Sequence, residues 1–220
     1  MLKTLDNAEN PIIGSLLAEM RDQGRQADRR RFNENLEQMG TLLAYEIAKT
    51  LPTRVVDVST PLGTASQSII ASPPVLIGVL RAGLPLLQGF QRIFRESDTM
   101  LIGAARREGQ APDANGLMPI DFGYQAIPTD TGRDWIYVDP MLATGSTLVG
   151  THQRLLEQGL QPRRCLVAGV VGHASAIDRL QQAIPGIEIW LAAQDPHLDD
   201  RGYIVPGLGD AGDLAFGPKR

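Results

Sequence analysis

The chain lacks several features that mark common classes of protein. It has a single cysteine, Cys165, among 220 residues, so no disulfide can form within it. Its formal net charge of -4 gives no general attraction to nucleic acid or to an anionic membrane. No apolar run approaches the roughly 20 residues of a membrane span, and the N-terminus carries no signal-peptide pattern. We therefore expect a cytoplasmic protein, in which any positive charge for a phosphorylated ligand is local.

Groups for covalent catalysis or for an all-protein metal site are also scarce. The three histidines, His152, His173 and His197, are too scattered to form a recognisable triad or metal-ligand spacing. Cys165 begins an apolar run, which favours a buried strand thiol over a nucleophile. Three successive arginines at 29–31 could bind phosphate or RNA, although a solvated helix start or a subunit contact is the simpler interpretation.

Apolar patterning predicts an α/β fold. With 43% hydrophobic and 21% charged residues, the chain is long enough for one well-buried domain. Apolar runs alternate with helical patterns, which indicates a mostly parallel central sheet flanked by helices. We predict strands over residues 75–80, 100–105, 135–139, 166–171 and 187–191, and a further short strand at 55–58. We predict helices over 84–94, 146–158 and 174–183, with residues 1–50 helical, a break near 23–25 and an amphipathic helix over 29–49.

Two regions interrupt this alternation. Residues 106–130 contain six glycines or prolines, which predicts a long loop or a β-arm over the site. The tail from 195 to 220 is also rich in glycine and proline. Turns are expected to set its direction and to leave backbone groups free to face a ligand.

The most informative stretch is 135–148, WIYVDPMLATGSTL. A β-branched and aromatic run predicts a buried strand, and a helix is predicted to begin at Ser146. The small residues of the turn between them would let a phosphate approach the unpaired N–H groups at the helix N-terminus. Asp139 ends the strand, where open α/β sheets bind their ligands. A phosphate site beside a carboxylate suggests a phosphorylated sugar.

This stretch resembles the phosphoribosyl-diphosphate-binding motif of type I phosphoribosyltransferases, and DPMLATG is similar to the uracil phosphoribosyltransferases among them. Residues 80–83 (LRAG) and 202–213 (GYIVPGLGDAGD) carry the same resemblance, in the family's order. The similarity covers about residues 26–217. It implies one domain over 1–220 with a type I phosphoribosyltransferase fold, including N-terminal helices (1–50), a protruding β-arm (106–130) and a C-terminal hood over the base (195–220).

The resemblance implies transfer of a phosphoribosyl group from phosphoribosyl diphosphate to uracil, giving UMP and diphosphate. It implies catalytic roles for Arg81, Arg106, Asp139 and Asp210. The implied phosphoribosyl-diphosphate contacts are Arg81, Arg106, Asp139, Pro140, Met141, Leu142, Ala143, Thr144, Gly145, Ser146, Thr147 and Asp210. The implied uracil contacts are Ile204, Gly209, Asp210 and Ala211.

Magnesium is the implied cofactor, oriented by Asp210 through water. Two assignments stay open. Asp210 could only cap a turn, with Asp213 as the charged partner. Arg107 could contact the diphosphate in place of Arg106. The implied partners are the two substrates, a GTP effector for which we find no independent motif, and further copies of the chain in a homodimer or larger assembly, with no nucleic acid and no membrane.

The alternatives are a pyrimidine-sensing RNA-binding regulator, a non-catalytic subunit, and a transferase for another base. The chain also departs from the family pattern. The common loop continues Gly-Gly-Ser, whereas this chain has Gly145-Ser146-Thr147. The strand before Arg106 ends in Ala104-Ala105, where a tyrosine is usual, and the arm that follows is several residues longer.

Overall fold

Strands and helices alternate along the chain. A computed structural model describes residues 1–5, 10–106, 120–129 and 131–218. The strands are β1 (Leu2–Thr4), β2 (Thr53–Thr60), β3 (Gly63–Ile70), β4 (Val75–Leu80), β5 (Thr99–Arg106), β6 (Ile120–Ala126), β7 (Asp134–Val138), β8 (Met141–Leu142), β9 (Arg164–Gly172), β10 (Glu188–Gln194), β11 (His197–Leu198) and β12 (Ile204–Val205). The helices are α1 (Pro11–Arg21), α2 (Gln23–Gln26), α3 (Arg29–Ala48), α4 (Gly83–Ile93), α5 (Ser146–Glu157), α6 (Ala174–Ala183) and α7 (Ala211–Phe216).

Eight strands form one central sheet in the order β1-β10-β9-β7-β4-β5-β6, with β8 beside β9. All of its pairings are parallel except that of β5 with β6. Every residue of β7 is buried, as expected for a parallel strand covered on both faces. The predicted fold class, a mostly parallel sheet flanked by helices, is confirmed.

The two faces of the sheet bury separate hydrophobic clusters. On one face, Ile136 and Val138 pack in the cluster that contains α1, α3 and α4. On the other face, Trp135 and Tyr137 pack with the apolar residues of α5 and α6. This alternation follows from the two-residue period of a strand. The helices that follow β4 and β7 therefore lie on opposite faces.

The side on which the next strand is added changes between β4 and β7, which are parallel neighbours in the sheet. From β4 the chain continues to β5 on one side, and from β7 it continues to β9 on the other. Ligands bind at such a switch point, outside the carboxyl ends of the strands. Gly78 is paired with Val138, so Arg81 and Asp139 both follow the strands at this edge.

The central strands and helices lie close to their predicted positions. The bounds of β4 and α6 are those predicted, and β5, β7, β9, β10, α3, α4 and α5 differ by at most a few residues. The predictions for the two ends of the chain were less accurate. Residues 2–4 are not helical: they form β1, which adds a parallel strand beside β10. The predicted break at 23–25 is the short helix α2, and the actual breaks lie at the capping residues Asp22 and Asp28.

The tail contains more regular structure than its glycines and prolines suggest. Two short strands, β11 and β12, pair in antiparallel fashion, and α7 follows them. Asp210 caps α7 and allows a helix to begin inside a glycine-rich sequence, where the sequence indicated turns.

Residues 53–70 form a separate two-stranded hairpin. β2 and β3 pair only with each other, although a single short strand was predicted there. Their residues are mostly exposed, and the chain turns at Pro61 and Leu62. Within residues 106–130, where a long loop or a β-arm is predicted, β6 joins the central sheet as an antiparallel edge strand. Residues 107–119 and 130 of that arm lie outside the described residues.

The single cysteine lies in β9, where its side chain is buried. Burial raises the pKa of Cys165 to about 12, so the reactive thiolate form is rare at neutral pH. The described residues also include no helix with the length and apolar character needed to cross a membrane.

We predict that His152 makes the protein less stable in mild acid. Its ring lies 2.8 Å from the Tyr137 hydroxyl, and burial lowers the pKa of His152 below 6.5. Below pH 6.5 the unfolded chain therefore binds a proton that the folded protein does not, so stability falls as the pH falls through this range. The free energy of unfolding, measured with urea between pH 7.5 and 5.5, should decrease as the pH falls. His152→Gln should make this slope against pH smaller. Tyr137→Phe, which keeps the imidazole, should lower stability but retain the slope. Equal slopes in the unmodified protein and both variants would contradict the assignment of the pH dependence to His152.

Candidate active site

The loop after β4 lies directly against the end of β7. A Cβ atom added to Gly83 would stand 2.7 Å from the carbonyl oxygen of Val138, so only glycine allows this approach. Val138 immediately precedes Asp139. The segment 80–83 and the segment that begins at Asp139, which were separate motifs in the sequence, are thus neighbours at the switch point.

Asp139 is held in place by its own backbone and by the turn that follows. Its N–H donates to the carbonyl of Ala168 at 3.1 Å, and its Oδ1 accepts from the N–H of Met141 at 3.2 Å. Met141 and Leu142 then form β8, which pairs with the end of β9. The carboxylate is therefore fixed at the sheet edge before any ligand binds.

The two helices that begin at the switch point have no side-chain caps. α4 begins after Ala82 and α5 after Gly145, and neither residue supplies a capping hydrogen bond. The other five described helices are capped by Asn10, Asp22, Asp28, His173 and Asp210. A capping side chain occupies the terminal N–H groups that a phosphate needs. The uncapped start of α5 therefore presents these groups where a phosphorylated ligand would lie. At the start of α4, the Leu84 N–H already donates to the carbonyl of Arg81 at 3.1 Å, and Pro85 has no N–H.

The turn between β8 and α5 depends on Gly145. Its φ of 74° is in the left-handed region, and a Cβ at this position would stand 3.1 Å from the carbonyl oxygen of Ala176. Within the turn, the Thr144 hydroxyl donates to the Ser146 hydroxyl at 3.3 Å. Thr147 is in the first turn of α5, and its carbonyl accepts from the Thr151 hydroxyl. The predicted phosphate residues 143–147 thus form one continuous loop and helix start.

Helix α6 contacts this loop through two side chains. The Ser175 hydroxyl donates to the carbonyl of Ala143 at 3.1 Å, and Arg179 Nη1 donates to Ser146 Oγ at 2.6 Å. These residues lie about thirty positions beyond the loop. No local sequence signal could have identified them, because only the packing of α6 beside α5 brings them to the loop.

Arg81 joins the loop after β4 to the C-terminal tail. Its Nη2 donates to Asp213 Oδ1 at 3.0 Å, and its Nη1 donates to the carbonyl of Gly217 at 3.3 Å. Both side chains of this ion pair are more than a third exposed. Asp210 instead caps α7, accepting from the Asp213 N–H at 2.9 Å. The structure therefore places Asp213 beside Arg81, and gives Asp210 a capping bond while leaving its side chain exposed.

The residues predicted to contact the base lie along the same tail. Ile204 and Ala211 are buried, whereas Gly209 is exposed and has a φ of 81°. The tail is anchored by the buried carboxylate of Asp195, which accepts from the Gly207 N–H at 2.9 Å and from both terminal nitrogens of Arg21. Sequence reasoning missed this anchor, although an acid directly after β10 was a detectable signal.

The described residues contain no group of three or more histidine, cysteine, aspartate or glutamate side chains that could hold a metal ion. Magnesium does not need one, because it takes many of its ligands from water and from substrate phosphates. A single exposed carboxylate such as Asp210 is compatible with that kind of site. The side chain of Arg106 and the whole of Arg107 lie outside the described residues; the backbone of Arg106 ends β5, paired with Ile120.

A cavity of about 680 Å³ lies elsewhere, between α1 and α3. Its charged side chains are largely paired with one another, as in the ion pairs of Arg31 with Glu19 and of Arg30 with Glu34. Hydrogen bonds from Arg31 and Asn35 lower the pKa of Glu19 to about 2. The switch point is therefore the better candidate site, because its helix termini and carboxylate are arranged toward a ligand.

The fold is that of the type I phosphoribosyltransferases. A hypoxanthine phosphoribosyltransferase from Staphylococcus aureus has this fold at 11% identity, with a TM-score of 0.50 over 80% of this chain and 85% of that one. A protein of known structure from Aquifex aeolicus matches with a TM-score of 0.85 at 25% identity, over 99% and 98% of the two chains.

Sequence relatives identify the branch within this class. The family model for uracil phosphoribosyltransferase matches residues 7–218. The uracil phosphoribosyltransferase of Porphyromonas gingivalis is 39% identical over 96% of each chain. That of Pyrococcus furiosus is 38% identical over 95% of this chain and 88% of its own length. The chain belongs to the uracil phosphoribosyltransferase family, which confirms the resemblance found in the sequence.

Proposed function

We propose that this protein transfers the phosphoribosyl group of phosphoribosyl diphosphate to uracil, forming UMP and diphosphate. The observation that carries the proposal is the meeting of Arg81, Asp139 and the uncapped start of α5 at one switch point, in a chain of this family. Each group suits a different part of the substrate. Together they would fix the geometry of the transfer, which lowers the barrier without a covalent intermediate.

The ribose 5-phosphate half of the substrate would bind along residues 139–147. The N–H groups at the start of α5 and the hydroxyls of Thr144, Ser146 and Thr147 would donate to the 5′-phosphate. Asp139 would accept from the ribose hydroxyls. Its carboxylate, which has about four lone-pair sites, also accepts from the Met141 N–H, and this bond orients it.

The diphosphate would leave toward the start of α4. Positive charge develops on the ribose as the diphosphate departs, so the site must neutralise the leaving group. Arg81 follows β4 and Arg106 ends the neighbouring strand β5, and guanidinium groups suit phosphate oxygens. We propose that Arg81 exchanges the Asp213 carboxylate for diphosphate oxygens when the substrate binds.

Magnesium belongs to the same proposal. When bound, it would neutralise charge on the diphosphate oxygens. Asp210 would orient it through water, while retaining its bond from the Asp213 N–H. Asp210 thus combines the two roles that the sequence left as alternatives.

Uracil would be recognised by hydrogen bonds to the backbone of the tail at Ile204, Gly209 and Ala211, with Asp210 close by. The base presents two carbonyl acceptors and ring N–H donors, which backbone groups can match in pairs. Gly209 has no side chain to block its own N–H and carbonyl groups. Cytosine would place an amino group where uracil has a carbonyl and leave a backbone donor unpaired, which penalises it strongly.

Three further parts of the proposal concern the protein's assembly and surroundings. We propose a homodimer or larger assembly, supported by the exposed apolar residues Val55, Val58 and Leu62 on the β2–β3 hairpin. A GTP effector rests on the family resemblance alone. A cytoplasmic location rests on the role expected of a pyrimidine salvage enzyme.

A base-competition assay tests the choice of uracil. The purified protein would receive labelled uracil, phosphoribosyl diphosphate and magnesium, with an excess of unlabelled uracil, cytosine, orotate or hypoxanthine. We expect only unlabelled uracil to suppress formation of labelled UMP. Preferred formation of orotidine or inosine monophosphate would assign the protein to another base.

A further inference from the structure

The first turns of α6 form the support behind the loop that runs from Ala143 to Ser146. Ser175 donates to the carbonyl of Ala143, and the backbone of Ala176 lies against Gly145. One turn further along α6, Arg179 reaches Ser146. Three positions on one face of α6 therefore contact three positions of the loop.

Arg179 acts on a hydroxyl that already accepts another bond. Ser146 Oγ accepts from Arg179 Nη1 at 2.6 Å and from the Thr144 hydroxyl at 3.3 Å. A serine oxygen has two acceptor lone pairs and one proton to donate. Because a guanidinium can only donate, the bond from Arg179 leaves the Ser146 proton for a different partner. Ser146 is the first residue of α5, so this proton lies beside the N–H groups at the helix start.

Arg179 forms no ion pair with an acid among the residues that the structure describes. A guanidinium carries five N–H donors, and the bond to Ser146 uses one of them. A positive charge therefore remains next to the loop, in a protein whose formal net charge is -4.

We propose that Arg179 is a positioning residue for the 5′-phosphate of the sugar substrate. By donating to Ser146 Oγ, it orients the Ser146 hydroxyl to donate to a phosphate monoester at the start of α5. This inference rests on the proposed function, since it assigns a new residue to the phosphate subsite of the same site. A bond from a charged donor is also stronger than a neutral one, so it polarises the hydroxyl in the direction of the phosphate.

Steady-state kinetics distinguish this role from a simple structural tie between α5 and α6. Arg179→Ala is expected to raise KM for phosphoribosyl diphosphate about ten-fold, as expected on losing a charge-assisted bond, while kcat and KM for uracil change less than about two-fold. Arg179→Lys, which keeps a charged donor, should recover most of the affinity. The matched control is Arg154→Ala, which removes an exposed arginine ion-paired with Glu157 on α5 and should behave as the unmodified protein. A lower melting temperature with an unchanged KM for phosphoribosyl diphosphate would overturn the proposal.

A double-mutant cycle tests whether the effect passes through Ser146. If it does, Arg179→Ala should raise KM for phosphoribosyl diphosphate less than about two-fold in a protein that already carries Ser146→Ala, because the hydroxyl that Arg179 positions is gone. If the two substitutions instead raised KM independently, so that their effects multiplied in the double variant, Arg179 would not act through Ser146.

Binding of ribose 5-phosphate, measured by calorimetry, separates this proposal from the choice of base. If the protein binds ribose 5-phosphate and Arg179→Ala weakens that binding about ten-fold, the positioning role stands even if uracil is not the base used. If Arg179→Ala binds as tightly as the unmodified protein, the role is refuted even in an active enzyme. Failure of the unmodified protein to bind ribose 5-phosphate would also refute it.

Discussion

Replacing Asp139 with asparagine is expected to lower kcat/KM for phosphoribosyl diphosphate by a factor of about 10² to 10³, the range found when one preorganised catalytic interaction is removed. The carboxylate can only accept hydrogen bonds, which suits two donating ribose hydroxyls. An amide would turn one acceptor into a donor and oppose a sugar hydroxyl. The amide oxygen can still accept from the Met141 N–H, so the turn should keep its shape.

Thermal unfolding should accompany the Asp139→Asn kinetics. The matched control is Asp57→Asn in the exposed hairpin, where the carboxylate accepts from the Ser66 hydroxyl and the amide oxygen can take over that bond. The control should retain activity, and both variants should melt close to the unmodified protein. If Asp139→Asn lost stability in proportion to its activity, Asp139 would be a residue of the turn and not of the ligand site.

Replacing Arg81 with alanine is the second change with a large expected effect. Arg81 lies two residues before the start of α4, where we propose that the diphosphate leaves. Its removal should lower kcat/KM by about 10²-fold or more, since neutralisation of a leaving group acts mainly in the transition state. The ion pair with Asp213 is partly exposed, and pairs of that kind contribute no more than about 1 kcal/mol to stability. The fold should therefore survive.

Asp213→Asn tests whether Arg81 acts on the substrate or only holds the tail. This variant removes the charged partner and leaves Arg81 in place. If Arg81 serves the diphosphate, kcat/KM should change far less in Asp213→Asn than in Arg81→Ala. Equal losses in the two variants would mean that the ion pair, and not a contact with substrate, is what activity requires.

The sequence predicted the central fold well because its signals there are local. Continuous apolar runs mark strands covered on both faces, as in β4 and β7. The β2–β3 hairpin was missed because both of its faces are exposed, which leaves no strong hydrophobic alternation. The three-residue strand β1 is too short to show a period, and it forms because the edge of β10 offers it a partner.

The site was predictable where it follows from strand ends. Arg81 and Asp139 were placed by the rule that parallel strands present their carboxyl ends at one edge of the sheet. The pairing of Arg81 with Asp213 depends on how the tail folds back, so the sequence left Asp210 and Asp213 as alternatives. Arg179 was invisible for a similar reason: its contact with Ser146 depends on the packing of two helices.

The central claim is that the loop at 139–147, Arg81 and the tail form one site for phosphoribosyl transfer to uracil. The most direct measurement incubates the purified protein with uracil, phosphoribosyl diphosphate and magnesium, and quantifies UMP and diphosphate by chromatography. We predict that the two products appear in equal amounts and that Asp139→Asn nearly abolishes both. A correctly folded protein that forms no UMP under these conditions would contradict the claim.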